Sequence, residues 1–158
     1  MQSMTMAVLI ALQCVAVLFV GLHNWIPLGS LNDLKAVRVE FTPVKLFFVT
    51  LSNFIPVTIG LVLSILYFKT GHPRWVFWYL WIFWLLACAG SLKSWWIPYF
   101  SRKETPHIAR DRVLYKNTHA FLPDHNGVRP NTLHVFFDML NIAILINLAF
   151  ATLLSAAS

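Results

Sequence analysis

His134, Asp138 and Asn141 stand at i, i+4 and i+7 within an otherwise apolar run. On a helix this spacing places an imidazole, a carboxyl and a carboxamide on one stripe. An acid and a base one turn apart can exchange a proton with a bound molecule, and lipid can satisfy neither. Other polar residues fall at corresponding positions in other apolar runs: His23 and Asn24 close the first, Asn53 lies in the second and Lys93 in the third. An ionised aspartate in a bilayer costs about 2.5–3.5 kcal/mol on insertion scales. Lys93 is therefore the expected charge partner of Asp138, with His134 and the asparagines bonding around the pair. Asp138 and His134 are the acid–base candidates, and His23, Asn24, Asn53 and Asn141 the ligand-binding ones. The competing reading makes the same residues interhelical glue, with Lys93 snorkelling to the membrane surface.

Other chemistry has weaker support. His134 and Asp138 with His119, Asp124 or His125 would offer nitrogen and oxygen ligands, but their spacing matches no metal motif. His23 and His134 would give two axial nitrogens to a haem, though both lie close to the headgroup level. No metal is assigned, and the cofactor stays open. Cys14 and Cys88 lie inside apolar runs and read as core thiols. There is no Gly-rich phosphate loop, no nucleophile elbow and no Cys-x-x-Cys, so ATP-driven and disulfide chemistry have no support.

These residues are carried by a chain that water alone would not hold. Of its 158 residues 58% are hydrophobic and 11% charged, against roughly 25% charged in a soluble domain. Four apolar runs are long enough to cross a bilayer as helices: residues 4–22, 46–68, 75–99 and 133–154. The first has no basic residue before it and no small-residue cleavage pattern after it, so it reads as a span, not a signal peptide. The net charge of +6 does not point to nucleic acid, because the basic residues sit between the apolar runs. Nine Lys and Arg fall in the first and third loops and two in the second, with none in the tails. That bias predicts loops one and three in the cytoplasm and both termini outside. Trp75, Trp78 and Tyr79 would then mark one membrane interface, and Trp95, Trp96 and Tyr99 the other. Gly60 with Ser64, and Ala87 with Ser91, form small-xxx-small pairs that let helices approach closely.

The loops carry structure too. Ser30 with Asp33 predicts a capped short helix in loop one. Thr105 and Pro106 predict the start of a surface helix running to about Asn117, and residues 123–127 predict a turn. A connection of this length is often functional, and its Tyr115, His119, Arg129 and Asn131, just before the last span, join the ligand-binding candidates.

Five segments share a pattern with known proteins: 23–27 (HNWIP), 32–38 (NDLKAVR), 95–99 (WWIPY), 118–123 (THAFLP) and 130–134 (PNTLH). Together they resemble a family of small four-helix bacterial integral membrane proteins with no established activity. The resemblance covers most of the chain and implies a bacterial inner-membrane location; no catalytic role comes with it. The expectation is an all-α, integral membrane four-helix bundle with a helical cytoplasmic loop between helices three and four. Its polar pocket near the cytoplasmic face would bind or transform a lipid-like or small amphipathic molecule. The alternative is a non-catalytic accessory protein that docks a membrane partner or a second copy of itself. Whether the chain is an enzyme stays open.

Overall fold

The computed structural model describes residues 2–101, 106–125 and 127–156, with the backbone alone at 106 and 107. In chain order the helices are α1 (Gln2–Leu22), α2 (Leu34–Glu40), α3 (Pro43–Leu66), α4 (Arg74–Ser91), α5 (Ile97–Phe100), α6 (Pro106–Leu114) and α7 (Thr132–Ala156). A π-helical turn, Leu92–Trp96, joins α4 to α5. Four helical spans are long and apolar enough to cross a membrane: α1, α3, the composite Arg74–Phe100, and α7. Each end lies within three residues of the expected one.

Local chemistry explains where the helices begin. Thr42 accepts the Lys45 amide at 3.3 Å, and Pro43 follows at the first helical position of α3, where its missing N–H costs nothing. Asn131 accepts the His134 amide at 2.9 Å at the start of α7. In loop one the cap differs from the expectation. Ser30 lies in a single 3-10 turn, Gly29–Leu31, and Asp33 caps α2, accepting the Lys35 and Ala36 amides at 3.1 Å each. Asp33 stands directly before Leu34, the first residue of α2, in the cap position itself. In loop three α6 ends at Leu114, before the expected Asn117, and Thr105 lies outside the described residues. In the expected turn, whose residue 126 lies outside the described residues, Asp124 accepts the Gly127 amide at 2.9 Å, and Gly127 has φ 73°, a conformation glycine adopts without steric cost.

The π turn also has a local cause. Pro98 lacks an N–H, and its ring would press on the carbonyl four residues back. The Ile97 amide reaches five residues back, to Leu92. One residue is thereby added to the turn, and the helix surface rotates just where Trp95 and Trp96 stand.

Side-chain contacts show α1, α3, α4 and α7 packed as an antiparallel bundle. Phe19 stacks on Phe137 at 4.8 Å between α1 and α7. Gly21 of α1 lies against Phe54 of α3, Trp25 just past α1 donates to Thr50 of α3 at 3.1 Å, and Trp81 donates to Thr152 at 3.1 Å between α4 and α7. Between α3 and α4 the Tyr79 hydroxyl donates to the Pro56 carbonyl at 2.7 Å, and Gly60 lies against Leu80. Leu9, Val76, Leu80, Ile144 and Leu148 are fully buried between the helices. The outward faces are apolar all round, with Phe47, Phe48, Leu66, Trp78, Leu86 and Phe150 all exposed. α2 and α6 lie together at one end, called the loop-rich end below.

Candidate functional site

At the loop-rich end a cavity of about 690 Å³ lies between the four long helices. Phe19, Val57, Phe83 and Trp84 form its apolar part, and Val37 of α2 with Leu114 of α6 belongs to its roof. Its polar wall holds His23, Asn24, Asn53, Ser91, His134 and Asp138. Five of the residues singled out in or just past the spans, His23, Asn24, Asn53, His134 and Asp138, thus share one space, and Tyr115 from loop three joins them.

Asp138 is buried, 6% exposed, on the inward face of α7. Its company corrects the expectation. Lys93 is exposed on the π turn and makes no ion pair with Asp138. Two neutral donors take the place of the lysine: the Ser91 hydroxyl bonds one carboxylate oxygen, and Trp96 Nε1 donates to the other at 2.7 Å. The extra residue of the π turn carries Lys93 outward and Trp96 inward. A hydrogen bond to a charged acceptor contributes about 1.5–3 kcal/mol. Two of them offset an insertion cost of about 2.5–3.5 kcal/mol without a counter-ion.

His134 is held differently. Its Nδ1 meets Asn131 Oδ1 at 2.5 Å, and the same oxygen accepts the His134 amide. That oxygen can only accept, so Nδ1 carries a proton. The ring packs against Trp95 and Tyr115, with centroids 4.6 and 4.8 Å away. Burial pushes the Tyr115 hydroxyl well above the ordinary tyrosine range. His23 is fixed in the same sense, donating from Nδ1 to the Phe19 carbonyl at 2.8 Å while stacking on the Phe19 ring. Burial outweighs that bond and holds the His23 pKa low.

The remaining candidates do not reach the cavity. Asn141 continues the stripe, 1% exposed, and among the described residues neither of its amide atoms has a hydrogen-bond partner. Asn131 is the helix cap of α7. His119 ties the loops together: its amide donates to Ser30 O at 2.6 Å, its carbonyl accepts the Thr132 amide, and its Nδ1 meets Thr132 Oγ1 at 2.7 Å. Arg129 borders a separate cleft of about 290 Å³ beside α6. Among the described residues no three His, Cys, Asp or Glu side chains converge as a metal site.

Several residues of the site carried no signal of their own in the sequence. Ser91 reads as a small packing residue, yet it bonds Asp138. Trp95, Trp96 and Tyr99 read as an interface belt. Instead Trp95 is buried against His134, Trp96 bonds Asp138, and the Tyr99 hydroxyl donates to the Pro123 carbonyl at 3.3 Å. Gln13 on α1 is fully buried with both amide atoms unpartnered. Phe19 stacks on Phe137, which places Gln13 within about a turn of the level of Asn141.

With this geometry in view, the chain was compared with known proteins: no family model, no curated protein and no solved structure matches it.

Proposed function

We propose that this chain is a bacterial inner-membrane protein whose cavity binds a lipid-like or small amphipathic molecule, with Asp138 as the polar anchor. The observation that carries this reading is one volume between the helices with a hydrogen-bonding wall at one side and aromatic and aliphatic walls at the other. About 690 Å³ lies within the roughly 300–1,000 Å³ range of ligand pockets. The nine-to-two excess of Lys and Arg supports a cytoplasmic position for the loop-rich end. The geometry supports binding, because Asp138 is held by Ser91 and Trp96 and His134 by Asn131, each fixed on the wall of the cavity.

The accessory-protein reading has less support. Two of the small residues that would dock a partner helix are spent inside the bundle, Gly60 against Leu80 and Ser91 on Asp138. Native mass spectrometry of the protein released from lipid nanodiscs tests the proposal. The wild type should retain an amphiphile adduct, and an Asp138→Leu, Ser91→Ala double variant should lose about tenfold in occupancy, the size of one hydrogen bond to a charged group. An adduct-free wild type that emerges only with a partner subunit would favour the accessory reading.

A further inference from the structure

The cavity is open on one side. Three seams of the bundle are shut at its level: Phe19 on Phe137, Trp25 on Thr50, and Ser91 with Trp96 on Asp138. The fourth seam, α3 against α4, is shut farther from the loop-rich end, where Tyr79 meets Pro56 and Leu80 meets Gly60. Toward the loops its edges are Val49 and Asn53 on α3 and Leu86 and Gly90 on α4. All four line the cavity, and all four are exposed. A Cβ placed on Gly90 would meet nothing within 4 Å. The opening is on the flank of the bundle, where lipid chains would lie, while α2 and α6 roof the end.

The polar wall also has a chemical bias. His23 uses its Nδ1–H on a backbone carbonyl and offers Nε2 as an acceptor. Asn53 spends one N–H on the Val49 carbonyl at 2.8 Å, and its side-chain oxygen is an acceptor on the same wall. Each Asp138 oxygen keeps a lone pair beyond the bond it accepts from Ser91 or Trp96, so the carboxylate is an acceptor as well. Among the described lining residues there is no lysine, and the one arginine, Arg110, lies 3.5 Å from Asp111. A phosphate head calls for unspent cations, whereas a hydroxyl head needs acceptors.

Building on the binding role proposed above, we infer that the ligand is a single-chain amphiphile with an uncharged, hydroxyl-bearing head. It enters sideways from the bilayer between α3 and α4. The head donates to the acceptors of the polar wall, and the chain lies in the seam over Gly90.

Nanodisc-embedded protein is offered equimolar 1-monooleoylglycerol and 1-oleoyl-lysophosphatidate, and retained lipid is read by native mass spectrometry. The wild type should keep the glycerol lipid at about tenfold higher occupancy or more. Gly90→Trp, whose indole would fill the seam, should lose it while keeping the wild-type melting temperature. Leu86→Trp serves as the second blocking variant if the first fails to fold. Preference for the lysophosphatidate overturns the head assignment and leaves the binding role standing. Equal retention by wild type and by folded Gly90→Trp and Leu86→Trp overturns the sideways route. Retention of neither lipid, with a different native adduct present, overturns this inference alone; with no adduct at all, the binding role falls with it.

Discussion

The seam between α3 and α4 contains two glycine positions that do opposite things. At Gly60 the missing side chain lets Leu80 approach until an added Cβ would sit 3.3 Å from its methyl carbon. At Gly90 the missing side chain borders empty space. Between the two levels α3 carries Pro56, which lacks the N–H that would bond the Ser52 carbonyl. One seam is thus sealed at one level and open at another, and the same residue type serves both. Residue size alone does not distinguish a packing contact from a cavity wall; the partner across the seam does. The same contrast holds for the whole bundle, with a close-packed part around Leu80, Ile144 and Leu148 and a cavity at the loop-rich end.

That contrast can be broken by substitution. The largest effect belongs to the packed part: Leu148→Ala should cost about 2–5 kcal/mol of stability. Leu86→Ala, at the exposed rim of the cavity, should stay within about 0.5 kcal/mol. Reversible unfolding in mixed micelles measures both, and equal losses would erase the distinction. Next comes the seam itself. Gly60→Val should destabilise by about 1–3 kcal/mol through overpacking against Leu80, while Gly90→Val should leave the melting temperature unchanged.

A smaller effect separates Asp138's partners from the rejected one. A double-mutant cycle on Asp138→Asn and Ser91→Ala should give a coupling of about 0.5–3 kcal/mol. The same cycle with Lys93→Met should give none; a large lysine coupling would restore the ion pair. The smallest effect lies outside the spans. His72 is buried beside Tyr67 and Phe77, and burial holds its pKa below the ordinary 6.5. The unfolded chain therefore takes up a proton first, so stability present above about pH 6.5 is lost as pH falls toward the folded-state value. His23, also lowered by burial, adds the same sign. His72→Asn should flatten the fall in melting temperature between about pH 7 and 5, and an unchanged slope would leave His23 as its source.

Much of this architecture is legible in the chain because its signals are one-dimensional. Four apolar runs give four long helices, and the i, i+4, i+7 stripe of α7 turns inward, away from the apolar outer faces of the bundle. Depth is legible as well: His23, Asn53, His134 and Asp138 line one cavity because helices of alternating direction place them at one level. Rotation about each helix axis is less legible. Lys93 and Trp96 are three residues apart, and an ideal α-helix read through Pro98 gives no warning of the extra residue in the turn between them. That residue decides which of the two reaches Asp138. Ser91 is obscured for another reason, since a small residue in an apolar helix has the same appearance whether it packs or donates. Loop three escapes periodicity altogether. His119 is a tie between loops and Asn131 a helix cap, roles set by chain segments distant in sequence.

The most direct test of the open cavity is cysteine reactivity at the two levels of the α3/α4 seam. In a background with Cys14 and Cys88 replaced by alanine, Gly90→Cys and Gly60→Cys are treated in membranes with a small bilayer-permeant maleimide. The Gly90→Cys protein should label rapidly, and added 1-monooleoylglycerol should slow it. The Gly60→Cys protein, packed on Leu80, should stay unlabelled under both conditions. Equal labelling at both positions, or labelling at Gly60 alone, would contradict the account.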